Sequence, residues 1–130
     1  MLDSINSLMV LMSTGRFEEA SLKAQQLLKL NPPVLERAAC HYTIGCAKSE
    51  LGEKEAALPF LLEALELFPS TETLLIGHTQ DELARIQFKL EFYTSALFFI
   101  EMAISNFELG GNAEMKASCD DLREEILRHT

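Results

Sequence analysis

The sequence has few of the residues and patterns that indicate β-structure, disorder or collagen-like repeats. Only six glycines and four prolines occur among 130 residues, and valine occurs only at Val10 and Val34. No segment alternates polar and apolar residues between turn dipeptides, so strands are not expected. Apolar residues make up 48% of the chain and charged residues 24%, with runs rich in Ala, Leu, Glu and Lys, which favour helices. We predict an all-α fold.

Basic residues are also scarce. The chain has 11 Lys and Arg against 20 Asp and Glu, a formal net charge of -9. Such a surface repels phosphate backbones and anionic lipid headgroups, so we expect neither nucleic acid nor membrane as a partner. No apolar run approaches the ~18 residues of a membrane span. The amino terminus lacks the positive charge of a secretory signal and has Asp3 where Lys or Arg would be expected.

Cysteine patterns of metal or disulfide sites are missing. Cys40, Cys46 and Cys119 form no CxxC motif, and the first two are six residues apart, so on one helix they would point about 240° apart. Reduced thiols in the cytoplasm are expected. Cys46, with no base or cation next to it in sequence, is predicted to be a small hydrophobe rather than a reactive thiol.

Catalytic motifs are equally absent from the sequence. His41, His78 and His129 lie on separate predicted segments, with no HExxH motif and no glycine-rich phosphate loop after a strand. We expect His41 to pack inside its repeat and His129 to fray at the terminus. The chain is therefore predicted not to be an enzyme, with no cofactor, no catalytic residue and no metal ligand.

An internal repeat is present instead. Gly15, Ala20, Leu30 and Pro32 recur 37 residues later. A third copy follows after a further 39 residues. The recurring residues of the later copies are Gly45, Leu51, Gly52, Ala57, Ala64, Leu67 and Pro69, followed by Ala84, Leu90, Ala96 and Ala103. This periodicity indicates tandem helix pairs.

The recurring residues have a physical reading. Gly15 and Gly52 are expected to end a first helix, because glycine enters the left-handed region without a steric penalty. Pro32 stops the second helix, as does its counterpart in the next copy. Gly45, placed within a helix, predicts close contact with the partner helix. Pro59 predicts a mild kink and not a break.

Seven helices are predicted. The last one has Asn112 as N-cap and an apolar stripe at the helical spacing i, i+4, i+7, i+11. That stripe consists of Met115, Cys119, Leu122 and Ile126. The predicted bounds are Leu2–Thr14, Phe17–Leu30, Val34–Leu51, Glu53–Phe68, Glu72–Leu90, Phe92–Leu109 and Ala113–Arg128.

These motifs resemble the tetratricopeptide repeat family. The resemblance rests on Gly15-Arg16-Phe17-Glu18-Glu19-Ala20 and Asn31-Pro32, and on Gly45, Leu51-Gly52, Ala57, Ala64-Leu65-Glu66-Leu67 and Pro69. The third copy departs from the pattern with Glu91 for the turn glycine and Glu108 for the terminal proline, and the first has Leu8 at the small position. The resemblance implies one domain over 1–130, with repeats at 1–34, 35–71 and 72–109, a capping helix at 112–128, and a right-handed superhelical array.

In this family the first helix of each pair lines a concave groove that binds peptides. The resemblance implies Leu2, Ile5, Met9 and Met12 in the first copy; Ala39, Tyr42, Cys46 and Ser49 in the second; and His78, Asp81, Arg85, Phe88 and Lys89 in the third. Their spacing agrees with one stripe per helix. The alternatives are that the apolar stripe is core or dimer contact, and that Arg85 and Lys89 are solvated charges.

Two functions follow as hypotheses. The first is a non-catalytic module that binds a protein or peptide in this groove, as adaptor, regulator or chaperone-like protein. The second is a structural protein that forms a homodimer through its apolar first helix. Binding of chaperone tails through a Lys and Asn clamp is not expected, because Ile5 and Met9 stand where such a clamp would begin.

Overall fold

The computed structural model describes the backbone of residues 2–130 and the side chains of residues 4–130. Within that range the chain forms seven α-helices and no strand. The helices are α1 (Leu2–Ser13), α2 (Phe17–Leu28), α3 (Val34–Glu50), α4 (Lys54–Leu67), α5 (Thr73–Lys89), α6 (Tyr93–Leu109) and α7 (Ala113–Leu127). The predicted all-α, tetratricopeptide-like array of helix pairs is confirmed, and each predicted helix end lies within two residues of the observed one.

Four of the helices end in the same hydrogen-bonded turn. After α3, the Gly52 amide donates to the Ser49 carbonyl at 3.1 Å, and the next amide donates five residues back, to Lys48, at 2.8 Å. The turns after α1, α5 and α6 repeat this pair of bonds, which satisfies carbonyls that the helix leaves open. The residue in the left-handed region is Gly15, Gly52, Glu91 or Gly111, with φ of 77°, 87°, 65° and 73°.

The chain forms two compact units, one ending at Phe68 and the other beginning at Pro69. In the first unit α3 packs against α1, α2 and α4. Its core joins Leu8, Ala24, Cys40 and Ile44, and Phe60 of α4 packs on this cluster. The first two predicted repeats therefore share one core.

Gly45 shows why a small residue is needed inside α3. A Cβ atom added there would lie 2.6 Å from Leu61 Cγ and 3.3 Å from the Ala57 carbonyl oxygen. Leu61 and Ala57 are both fully buried, so neither can move aside freely. The predicted close approach of α3 to α4 is confirmed. Pro59 lies inside α4 without breaking it, also as predicted.

In the second unit α5 and α6 pair, and α7 packs on α6 and contacts α5. The side chain of Asn112 accepts a hydrogen bond from the Met115 amide at 3.1 Å, so the predicted N-cap is confirmed. The α7 stripe is buried as expected, with Met115 packing at its edge. The core of this unit comprises Ala84, Ala96, Ile100, Ala103, Phe107, Cys119, Leu122 and Ile126.

Candidate partner-binding surface

Helix α1 divides its apolar residues between the core and solvent. Leu8 is 1% exposed and Leu11 7% exposed, whereas Met9 is 63% exposed. Ile5 and Met12, which share the Met9 side of the helix by their i, i+4, i+7 spacing, are half-buried. The side chain of Leu2, also predicted for this stripe, lies outside the described residues. Helix α1 therefore presents an apolar stripe in addition to the one that the core uses.

Helix α3 contributes less open surface than its sequence indicates. Tyr42 and Ala39 are half-buried, whereas Cys46 and Ser49 are buried. The Ser49 hydroxyl accepts a hydrogen bond from Lys54 Nζ at 3.0 Å, and the Ser49 carbonyl accepts a second one at the same distance. Of the predicted α3 residues, only Ala39 and Tyr42 therefore keep some exposure to solvent.

On α5, Asp81 and Arg85 form a cluster with α7. Asp81 is 6% exposed, and its Oδ1 accepts from Arg85 Nε at 2.9 Å and from Cys119 Sγ at 3.4 Å. Arg85 Nη2 donates to Ser118 Oγ at 3.0 Å. Burial first, and then the charge and hydrogen bond of Asp81, raise the pKa of the Cys119 thiol to about 12. Asp81 and Arg85 thus tether α5 to α7.

Phe88 makes an aromatic contact with the end of the chain. Its ring meets the Tyr93 ring edge-on at 5.8 Å between centroids and the His129 ring at 5.3 Å. His129 also stacks on Tyr93 at 5.1 Å, so the prediction that His129 frays is wrong. The interaction joins residues far apart in sequence, and no local pattern around His129 indicates it.

The two remaining α5 residues differ in environment. His78 is half-buried with its ring edge-on to Phe107 at 4.9 Å. Burial lowers the pKa of His78, and the charge of Asp81 partly opposes this effect. Lys89 is exposed. Of the α5 residues predicted for the groove, Lys89 is therefore the one most open to solvent.

The predicted surface residues of α1 and α3 belong to the first unit, and those of α5 belong to the second. In the first unit, α1 packs on α3, so the Met9 stripe and Tyr42 belong to neighbouring helices. In the second unit, α7 and His129, two residues beyond its end, already contact three of the predicted α5 side chains, Asp81, Arg85 and Phe88. The sequence pattern identified α7 as a cap but did not indicate these contacts.

The described residues contain neither a metal-binding cluster nor a membrane-crossing helix. No cluster of three or more His, Cys, Asp or Glu side chains there is arranged to hold a metal ion. None of the described helices combines the length and apolar character needed to cross a membrane.

Residues 38–71 match the family model described as the tetratricopeptide repeat. The matched segment contains most of α3, the turn at Gly52 and all of α4. It is the copy in which Gly45, Gly52, Ala57 and Pro69 all follow the pattern. No curated protein matches the chain. The resemblance drawn from the sequence is confirmed by this match together with the all-helical fold.

Proposed function

We propose that this chain, which carries a tetratricopeptide repeat at residues 38–71, is a non-catalytic module that binds another protein or a peptide. The repeat itself suggests a protein-protein interaction module. We place the main contact on the α1–α3 surface, defined as Ile5, Met9 and Met12 of α1 with Tyr42 of α3. Adaptor, regulator and chaperone-like roles all use such a surface.

The exposure of Met9 carries this proposal. At 63% exposure, an unbranched apolar side chain stands in water while Leu8 and Leu11 fill the core. Burying a Met side chain against a partner contributes about 1.5–3 kcal/mol. Its flexible thioether adapts to differently shaped partners. We expect a segment with apolar anchors to bind here.

The predicted α5 residues differ in how much of each side chain is available to a partner. Lys89 and His78 are offered as additional contacts, because neither side chain is tethered to α7 in the way that Arg85 is. Cys46 and Ser49 are buried and would shape the surface from beneath. Asp81, Arg85 and Phe88 would contribute only through the part of each side chain that α7 leaves open.

The test is an affinity capture from cell extract with the intact chain, followed by titration of the purified partner. Met9→Glu places a charge on the proposed surface. Leu22→Glu is the matched control, because Leu22 of α2 is exposed to a similar degree, 59%. We expect a protein captured by wild type and Leu22→Glu and lost with Met9→Glu, while all three keep the same helical signal. Equal capture by both variants would rule out the α1–α3 surface.

The second candidate function is self-association through the same α1 stripe. The exposed Met9 favours this equally, because an isologous contact between two copies would cover it. Sedimentation velocity over a dilution series separates the two functions. A dimer that Met9→Glu dissociates supports self-association, whereas a wild-type monomer at all concentrations excludes it.

Cytoplasmic location is part of the same proposal. Cys40 and Cys119 are buried free thiols and Cys46 is buried as well, as expected for a chain that folds in a reducing compartment. Mass spectrometry of the chain unfolded in a thiol-blocking reagent, directly after isolation from its native cells, checks this, because unfolding exposes all three buried thiols. Three blocked cysteines would agree with a cytoplasmic location, and a recovered disulfide would contradict it.

A further inference from the structure

Helix α6 carries an apolar stripe on the side away from its core. Phe98 is 59% exposed and Leu109 80% exposed, and Met102 between them is half-buried. At about 100° per residue, these three side chains and Ser105 lie within about 60° of one another around the helix. We call these four residues the α6 stripe. The core residues of α6 lie on the opposite side, and they are Ala96, Ile100, Ala103 and Phe107.

The second helices of the other two copies have no such stripe. In the register of the recurring alanines, Met102 corresponds to Gln26 of α2 and to Glu63 of α4. Leu22 of α2 corresponds to Phe98 and is equally exposed, at 59%, but the polar Gln26 follows it one turn later. A single exposed apolar residue is ordinary, whereas a row of them on one face marks an interaction surface.

The spacing of the stripe matches the seam of a coiled coil. Its residues follow one another at intervals of four, three and four, as the a and d positions of a heptad do. The eleven residues from Phe98 to Leu109 correspond to about 16 Å along the helix axis. One partner helix covers such a seam, and its large side chains insert between those of the stripe. The small Ser105 leaves room for one of them.

Phe98 is the anchor of the stripe. Its ring meets the Phe99 ring edge-on at 5.3 Å between centroids, which restricts where it points. Aromatic side chains contribute much of the buried area in protein interfaces. A partner that covers Phe98 therefore gains apolar area from a side chain that a neighbouring ring already positions.

Acidic residues follow one flank of the stripe. In the heptad numbering that puts Met102 and Leu109 at a, the two g positions are Glu101 and Glu108. The e positions on the other flank carry no charge. Residues 91–111 contain three glutamates and no Lys, Arg or His. Because residues at e and g pair with charges on the partner helix, this flank favours Lys or Arg beside the partner's apolar face.

The two flanking glutamates differ in their present partners. Glu101 pairs with Arg123 at 3.3 Å, and both side chains are about half exposed. Such a surface pair is weak. Glu108 is exposed and forms no ion pair with any side chain that the structure describes. Glu108 is therefore the residue best able to receive a cation from a partner.

A second copy of this chain fits the stripe poorly. A two-fold axis that pairs antiparallel α6 helices brings equivalent flanks together, so Glu101 and Glu108 of one copy would face those of the other. A parallel pair would place these glutamates opposite the uncharged e positions, without any attraction. The charge of the flank therefore favours a basic segment of another protein over a homodimer.

We propose that the α6 stripe binds an amphipathic helix of a partner protein that carries Lys or Arg beside its apolar face. The site shares no residue with the α1–α3 surface and is independent of it. Apolar side chains of the partner pack between Phe98, Met102 and Leu109, and a neighbouring cation pairs with Glu108. The net charge of -9 attracts a basic segment over a longer range and raises its association rate.

The test is a fluorescence anisotropy titration of the full chain at physiological ionic strength. The probe is a short helical peptide with Leu at its a and d positions and Lys at its e and g positions. A peptide with Glu in place of every Lys is the charge control. In each free peptide the like charges oppose self-association. We expect wild type to bind the Lys peptide at least about 10-fold more tightly than the Glu peptide.

Two pairs of variants locate the binding site. Phe98→Gln should weaken binding of the Lys peptide about 10-fold, whereas Leu22→Gln, at the equivalent and equally exposed position of α2, should stay within about twofold of wild type. Glu108→Lys should weaken the Lys peptide about fivefold and strengthen the Glu peptide. Glu66→Lys changes the net charge equally, at the exposed penultimate residue of α4, and should stay within about twofold.

Four outcomes would overturn the proposal. The first is no binding of the Lys peptide at millimolar concentration, and the second is equal weakening within either pair of variants. The third is loss of the peptide in Met9→Glu but not in Phe98→Gln, which would place it on the α1–α3 surface and leave the proposed function standing. The fourth is a wild-type dimer in sedimentation velocity that Phe98→Gln dissociates, because a second copy would then occupy the stripe.

Discussion

Replacing Glu91 with glycine should stabilise the protein, although glycine usually weakens helical proteins. Glu91 has φ of 65° in the turn after α5, where the three equivalent turns have glycine. The left-handed region costs a residue with a Cβ about 1–2 kcal/mol. Glycine loses about 0.5–1 kcal/mol more backbone entropy on folding. The net gain for Glu91→Gly is therefore about 0.5–1 kcal/mol, or about 2–4 °C in melting temperature.

The assay is urea unfolding followed by far-UV circular dichroism, and a matched variant isolates the backbone effect. Glu91→Ala removes the same carboxylate and its interaction with Tyr93 but keeps a Cβ, so it should not gain stability. Ala117→Gly, at an exposed position inside α7, should lose about 1 kcal/mol. The reasoning fails if Glu91→Gly is no more stable than Glu91→Ala.

Four further predictions address packing, capping and titration. Gly45→Ala should destabilise the fold by about 1–3 kcal/mol in the same urea assay, because the new Cβ overlaps buried Leu61; a gain in stability would contradict this. Asn112→Ala should lower the free energy of unfolding by about 1 kcal/mol, because it removes the α7 N-cap. Asn112→Asp should keep most of the stability, because Asp also caps helices. Burial lowers the pKa of His78 in the folded chain, so, as the pH falls, His78 is protonated at a higher pH in the unfolded chain than in the folded one. The free energy of unfolding should therefore fall as the pH drops from about 7 to about 5. In His78→Gln this fall should be smaller. Cys119, with a thiol pKa of about 12, should be alkylated at pH 8 more than about 100-fold more slowly in the native than in the unfolded chain; equal rates measured by mass spectrometry would refute this.

The sequence predicted the contacts of the recurring small residues well. Gly45 was expected to allow close contact with a partner helix, and the structure places Leu61 there. Asn112 was expected to cap α7 and does so. Such features depend on neighbours within one helix pair or one turn, whose positions the helical period fixes.

The environment of the candidate surface was less predictable. Helical spacing put Asp81, Arg85 and Phe88 on one stripe of α5, but it gave no sign that Ser118, Cys119 and His129 would contact them. Nor did it show that Ser49 is engaged by Lys54. These contacts join residues whose distance in space depends on how helices pack.

By itself, the sequence determined the helix content, the helix ends and the repeat, because period, capping residues and turn glycines act over a few residues. Only the tertiary structure decided which apolar side chains remain outside the core, as Met9 does beside buried Leu8. It likewise decided which polar groups are paired, as Asp81 is with Arg85, whereas Arg37 Nε has no hydrogen-bond partner among the described residues. Exposure and pairing depend on the atoms that surround a side chain in space, and a one-dimensional pattern does not specify them.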